Sequence, residues 1–502
     1  MQPPPAFGFH VAFLFTLLSL NPPALPPCTA ASLPPPGARA PVVATPSVVA
    51  PPAPSAIEGG ASLGRMGDFP RPAALTPQIS FWTQIYSKYT TSQAVIHDSE
   101  RLDVVYTVID LDPATPGGRR LSRQHLKQVR GQYVAALKHL AEAPETTELT
   151  ELERAVKAVW GDETEPEVFR AASGRVRSQI GQADRFRDGI QRAGRYLPAM
   201  RAIMAEHGLP DELLAIPHVE SSFNPAALSH RGASGIWQWT RRTGRQFMRI
   251  DPAADERRDP LLATRAAGIC LRGYYEELGS WPLAITAYNH GIQGVRRAHA
   301  RYGTDIAAIL TEYDGRSFQF ASRNFYTEFL AALDVSRNYK EHFGELVLEP
   351  PIEFDSVPLA RPVSFHRAAA IAEVAPAELA RLNPGLLQPV ISGKRPIPGG
   401  YELRVPAGLG SAMAVRLEAS PEAARSALSA GTGGAGGSGS GTTAASSGSA
   451  ASGASYRVRR GDTLGHIARR YRTSIGALCE LNGLDTHRIY AGQKLLVPDS
   501  SP

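Results

Sequence analysis

Apolar residues recur three and four positions apart through most of residues 121–345, the spacing of a helix face packed on a core, and the breaks between the runs have nameable chemistry. Gly208-Leu209-Pro210-Asp211 reads as a helix stop with a proline opening the next helix, and Asp259-Pro260 reads as an N-cap with proline at the first helical position. Gly279 followed by Ser280-Trp281-Pro282 repeats the pattern. Helix ends are expected at Asn224-Pro225, because a residue before proline avoids the α region, and at Gly291 after LAITAYNH. Residues 78–195 are expected to be helical as well, and 196–348 to form a compact all-helical domain. The period changes at the end of the chain. Over residues 456–499 a strand at YRVRR, a helix capped by Asp462 or Thr463, a second helix over IGALCELN and a strand at KLLVP predict a small βααβ module.

That module has an echo. Leu379, Leu382 and Asn383 with YELRVP (401–406) match Leu478, Leu481 and Asn482 with QKLLVP (493–498). Residues 351–408 therefore read as a degenerate copy, with Phe365-His366-Arg367 where the later copy has Gly461-Asp462-Thr463. The fold class expected is mainly α, a helical domain plus βααβ modules.

Composition separates the ends of the 502-residue chain from its middle. Of 42 prolines, 15 fall before residue 60, and residues 31–77 are too rich in Pro and Ala to bury much surface, so they are expected to be a linker. Residues 430–455 consist of Gly, Ala, Ser and Thr and are expected to be a second linker, with a span of about 30 Å. Val11–Leu20 is an apolar run too short for the ~20 residues of a membrane span, which suits a signal peptide or anchor over residues 1–30 and export. Leu25-Pro26-Pro27-Cys28 only loosely resembles a lipoprotein box. Cys28, Cys270 and Cys479 are too scattered for a disulfide framework or a zinc site, and no metal or other cofactor is expected. The 53 Lys+Arg against 47 Asp+Glu bias the chain modestly towards acidic partners. Nucleic acid is not expected among them, for no basic patch is interleaved with aromatics.

One carboxyl stands out. In the helix expected from Asp211, the apolar face runs Leu213, Ile216/Pro217, Glu220 and Phe223, so Glu220 interrupts a buried stripe. Burial disfavours the ionised form, and a carboxylic acid that keeps its proton near pH 7 is what protonating a leaving oxygen requires. Periodicity alone leaves open a boundary position or a pair with Arg231. Next comes Arg231-Gly232-Ala233-Ser234-Gly235-Ile236-Trp237-Gln238-Trp239, whose glycines permit close backbone approach and whose Trp and Gln supply stacking and amide bonding suited to sugars.

Over roughly Tyr196 to Phe343 the chain resembles the lytic murein transglycosylases, which share the goose-type lysozyme fold. The resemblance rests on three motifs in order: Glu220-Ser221, Gly235-Ile236-Trp237-Gln238 and Ala287-Tyr288-Asn289. It implies that Glu220 is the catalytic acid and then base, and that Ser221, Gly235, Gln238, Tyr288 and Asn289 bind the saccharide. Tyr288 has a second reading as core, and Asn289 as a C-cap residue. The family's further tyrosine falls in Ser322-Arg323-Asn324-Phe325-Tyr326, displaced by one position to Tyr326, and one residue turns a side chain about 100° around a helix. No second acid is obvious, and spacing does not say whether Asp251, Asp255, Glu256 or Asp259 reaches Glu220. The resemblance implies cleavage of the β-1,4 bond between N-acetylmuramic acid and N-acetylglucosamine with a 1,6-anhydromuramoyl product. A lysozyme-type reaction with water and a non-catalytic murein-binding protein are the rivals. Residues 456–499 resemble a LysM domain, which implies binding of N-acetylglucosamine-containing glycans near Asp462, Thr463, Ile489 and Tyr490; Asp462 has a second reading as an N-cap. The partners so implied are peptidoglycan glycan strands, with membrane association through the N-terminus. The location so implied is the bacterial envelope, on the periplasmic side.

Overall fold

The structure is a computed structural model that describes residues 68–112, 118–144, 146–163, 165–418, 454–458, 464–471, 473, 475–482, 484 and 493–498. The expected export segment, the expected linkers up to residue 67 and over 430–453, and Asp462, Thr463, Ile489 and Tyr490 lie outside the described residues.

The chain divides into two compact units, residues 1–414 and 415–502. Described structure in the first begins earlier than the composition suggests. Phe69 packs against Trp281 and Phe329 with ring centroids 6.4 and 5.3 Å apart, and Arg71 pairs with Asp334 at 2.6 Å, so residues 68–77 belong to the folded body and not to a linker. Helix α1 (Thr76–Ser87) then buries Phe81, Trp82, Ile85 and Tyr86.

The helical expectation for 78–195 needs correcting. Strands β1 (Gln93–Asp98), β2 (Val105–Asp110) and β3 (Val176–Ile180) form an antiparallel sheet in the order β2-β1-β3. β-branched residues crowd β1 and β2, and in the central strand successive side chains enter different cores. Val95 joins the main core, while Ile96 joins a smaller one built with α2 (Gly118–Glu142), α3 (Glu151–Val159) and α4 (Pro166–Ser173). Thr150 caps α3 in a reciprocal bond with Glu153.

The main core continues through α5 (Ala183–Glu206), α6 (Ile216–Ser221), a short α7 (Arg241–Gly244), α8 (Pro260–Leu278), α9 (Trp281–His290), α10 (Ile292–Tyr302), α11 (Ile306–Glu312), α12 (Phe320–Arg337) and α13 (Tyr339–Phe343). The predicted punctuation is present: Asp259 caps α8 with Pro260 at its start, Gly279 ends it with φ 65°, and Gly291 ends α9 with φ 90°. The end expected at Asn224-Pro225 comes earlier, at Ser221.

The repeat is real. In the earlier copy β4 (Asp355–Pro358), α14 (Phe365–Ala372), α15 (Pro376–Leu382), a one-turn α16 (Gln388–Ile391) and β5 (Glu402–Val405) bring β4 and β5 together antiparallel, and α17 (Gly410–Glu418) follows. In the second unit β6 (Ala454–Arg457), α18 (Leu464–Arg470), α19 (Ile475–Asn482) and β7 (Lys494–Val497) give the expected βααβ order over a core of Tyr456, Leu464, Ile467, Leu478, Leu495 and Val497.

Candidate active site

Glu220 stands in the last turn of α6, after a 3-10 turn over Asp211–Ala215. Leu213, Ile216 and Glu220 share the buried face as expected, and Glu220 is 3% exposed. Phe223, also on the predicted stripe, is buried by another route. Ser222 and Phe223 take φ of 49° and 54°, so the helix stops and the chain reverses. The turn is held by Phe223 N–H on Pro217 O (3.1 Å) and by Arg192, whose Nη2 donates to Ser222 O at 2.7 Å. Gln238 has φ 47°, so three of the four non-glycine residues with positive φ among the described residues flank the candidate site.

The Glu220 carboxyl is pushed well above the ordinary range, first by burial and second by the negative charge of Glu328. Sequence reasoning missed Glu328. It projects from α12, half-buried, and burial pushes it up to about 8 against the opposing effects of Tyr86, which donates a hydrogen bond to it, and of Arg177. The signal was available: Phe325-Tyr326-Thr327-Glu328-Phe329-Leu330 is an apolar run broken by a carboxyl, as around Glu220. Arg177 in turn lies 4.1 Å from the Phe320 ring centroid.

The acidic residues of the loop before α8 are committed to other tasks. Asp251 accepts from the Ala253 and Ala254 N–H groups, and Asp255 makes a two-bond pair with Arg257 at 2.8 and 2.7 Å. Glu256 accepts from Arg249 N–H, and burial pushes it up to about 6. Asp259 caps α8. The acid coupled to Glu220 is therefore Glu328, and not one of these.

The Gly-Ile-Trp-Gln-Trp segment is pinned beside Glu220 from several directions. Gly235 has φ 80°, and a β-carbon there would stand 1.8 Å from Arg257 O, which is why only glycine fits. The Ser221 hydroxyl lies 2.9 Å from Ile236 O and 3.2 Å from Pro217 O, and its single proton serves one at a time. Tyr288 donates to Trp237 O at 2.7 Å; burial first, then the charge of Glu220, raises its hydroxyl well above the ordinary range. Trp237 Nε1 donates to Thr264 Oγ1 at 2.8 Å. The Gln238 amide nitrogen donates to Gly235 O at 2.8 Å and to Ala227 O at 3.3 Å. Ser221, Gln238 and Tyr288 are thus brought together around one loop, and the bonds recorded for them fix that loop. Asn289, 4% exposed, accepts from Ser322 Oγ at 3.2 Å.

Tyr326 is a correction. It is fully buried, stacked on Phe329, and donates its hydroxyl to Pro70 O at 2.9 Å. The turn of about 100° between adjacent helix positions has sent it towards the N-terminal segment, which removes it from the saccharide-binding set.

Residues 199–309 match the family described as Transglycosylase SLT domain, residues 353–421 that described as Lytic transglycosylase MltD, LysM-like domain, and residues 456–498 that described as LysM domain. Membrane-bound lytic murein transglycosylase D of Escherichia coli (strain K12) is 26% identical over 321 residues, 62% of this chain and 65% of that protein. The chain thus spans just under two thirds of that relative's length. A protein of Alteromonas sp. (strain M-1) described as a putative tributyltin chloride resistance protein is 38% identical over 109 residues, covering 21% of this chain and 53% of its own length. Among solved structures, the 70 kDa soluble lytic transglycosylase of Escherichia coli aligns with 20% identity and a TM-score of 0.26, over 46% of this chain and 38% of that one, too low a score to carry an argument about fold. The chain carries a transglycosylase SLT domain, followed by an MltD-type LysM-like domain and a LysM domain, and is homologous to membrane-bound lytic murein transglycosylase D.

Proposed function

We propose that this protein is a lytic murein transglycosylase that cleaves the β-1,4 bond between N-acetylmuramic acid and N-acetylglucosamine. The observation that carries the reading is the buried Glu220 carboxyl, whose neutral form is favoured by burial, beside a loop fixed by Ser221, Gln238 and Tyr288. A neutral acid can give its proton to the glycosidic oxygen as the bond to C1 breaks. The resulting Glu220 carboxylate then takes the proton of the muramoyl C6 hydroxyl as that oxygen attacks C1, with the substrate N-acetyl group assisting. The 1,6-anhydro end forms and no water is consumed.

The match to a transglycosylase SLT domain and the homology to a murein transglycosylase support the same reading. Gly235 and Asn289 are proposed to complete the saccharide site. The LysM domain is proposed to bind N-acetylglucosamine-containing glycan through Asp462, Thr463, Ile489 and Tyr490, raising the local concentration of enzyme on an insoluble polymer. We infer a cell-envelope location on the periplasmic side, with membrane association through the N-terminus. No helix among the described residues is long and apolar enough to cross a membrane.

The test is a digest of purified sacculi read by mass spectrometry. Wild type should release muropeptides lighter by one water than lysozyme products, and Glu220→Gln should release none while still sedimenting with sacculi. Hydrated reducing ends would establish the water-using lysozyme reaction instead, and an inert wild type that still sediments would establish a murein-binding protein.

A further inference from the structure

The two LysM-type copies share an asparagine clasp and differ in what they hang on it. In the second unit Asn482 Nδ2 donates to Leu478 O and Leu496 O, both at 2.8 Å, and its Oδ1 accepts from Leu496 N–H at 2.6 Å. In the first copy Asn383 makes the same three bonds, to Leu379 O (2.8 Å), Arg404 O (2.8 Å) and Arg404 N–H (2.9 Å). The clasped strand position is thus Leu496 in one copy, 46% exposed, and Arg404 in the other, 7% exposed.

Arg404 is buried because it grips Asp259. Its Nη1 and Nη2 donate to the two carboxylate oxygens at 2.7 and 3.0 Å, a bidentate pair with both partners out of water. Backbone bonds flank it: Asp255 N–H donates to Gly385 O at 2.7 Å, and Leu387 N–H to Ala253 O at 2.9 Å. Asp259 also accepts from Leu261 and Leu262 N–H, which sets the start of α8. The next turn of α8 holds the loop beside Glu220, because Ala263 O accepts from Trp239 Nε1 at 3.4 Å and Thr264 Oγ1 from Trp237 Nε1 at 2.8 Å. From the other side Arg257, paired with Asp255, donates to Gly232 O (2.7 Å) and Trp239 O (3.0 Å). Both tryptophans around Gln238 are therefore bonded to the first turns of α8 or to Arg257, next to the residues Asp255 and Asp259 that the LysM-like domain holds.

We propose that the LysM-like domain at 353–421 is a brace for the loop 235–239, and that Arg404 is a positioning residue acting on that loop through Asp259. The proposal rests on the cleavage reaction proposed above. Removing the guanidinium leaves a buried carboxylate without its counter-charge, so the start of α8 must shift or admit water, and the loop moves with it. A displacement near 1 Å at a reacting site lowers turnover by up to about 100-fold.

The experiment uses the full chain with Arg404→Leu, the residue that stands in the other copy, and Arg404→Lys, which keeps the charge and loses the two-pronged bond. Turnover of a soluble murein glycan should fall about 10- to 100-fold in Arg404→Leu with KM changed less than about threefold, and recover in part in Arg404→Lys. Sedimentation with sacculi should be unchanged. Hydrogen exchange should show faster exchange of the Asp255 and Leu387 amides, with the amides of Phe329 and Leu330 in α12 still protected. Unchanged turnover with those two amides opened would overturn the brace, and loss of sacculus binding with turnover kept would make the domain a glycan module instead. If Arg404→Leu loses the α12 protection as well, Arg404→Lys decides: wild-type turnover there with faster Asp255 and Leu387 exchange overturns the proposal. An inert wild type would sink the cleavage reading, whereas an active wild type matched by its Arg404 variants sinks only the brace.

Discussion

Replacing Glu328 by Gln should make the protein more stable, and increasingly so as the pH rises. The carboxyl titrates at about 8 in the folded protein against an ordinary 4.5. A carboxyl raised by folding contributes fully below its unfolded value, and that contribution is lost as the pH climbs from about 4.5 through about 8. At roughly 1.4 kcal/mol for each tenfold change, the gap amounts to about 5 kcal/mol, and solvent reaching the half-buried side chain lowers the expected effect to about 2 to 5 kcal/mol. Glutamine keeps an oxygen for the Tyr86 hydroxyl and cannot ionise. Urea unfolding followed by tryptophan fluorescence at pH 4, 6, 7.5 and 9 is a suitable assay, because Trp82 is buried against α12 and donates to Asn324. The two proteins should agree within about 1 kcal/mol at pH 4, and the variant should lead increasingly up to pH 9. A difference that does not change with pH, or a variant weakest at pH 9, would mean that Glu328 is solvated and that burial does not raise it.

Gly235→Ala should abolish cleavage of sacculi and lower stability by more than about 2 kcal/mol, because the added carbon meets the Arg257 carbonyl and the backbone sits at positive φ; a variant with wild-type digestion would refute that crowding. Asn482→Ala removes three hydrogen bonds within the second unit and should destabilise it by about 2 to 4 kcal/mol. Its effect should appear as faster amide exchange at Leu496, with the Leu330 amide unchanged.

What could be read from the chain follows the range of the forces involved. The caps at Asp259, Gly279 and Gly291 are set by a few neighbouring residues, and they fall where expected. Glu220 was legible for the same reason, as one residue in a short periodic stripe. The end of α6 was misread because Pro225 is a local signal, whereas burial of Phe223 and the Arg192 bond to Ser222 come from elsewhere in the fold. The sheet was missed because β1 is buried on both sides and shows no alternation; its second core comes from α2 to α4. Glu328 meets Tyr86 and Glu220 across elements more than 100 residues apart, a relation that spacing does not encode. Tyr326 carried the right residue type in nearly the right place, and its hydroxyl found Pro70 instead.

The reversal at Ser222 and Phe223 has an effect on how steady the acid is. A terminal helical turn ordinarily frays, and a carboxyl on it would swing over more than an ångström within nanoseconds. Here the two left-handed residues, the guanidinium of Arg192 and the sunken Phe223 ring act as a stopper on the coil, so the end that carries Glu220 is held against fraying. Steadiness of that kind lets a six-residue helix do what a much longer one would otherwise be needed for.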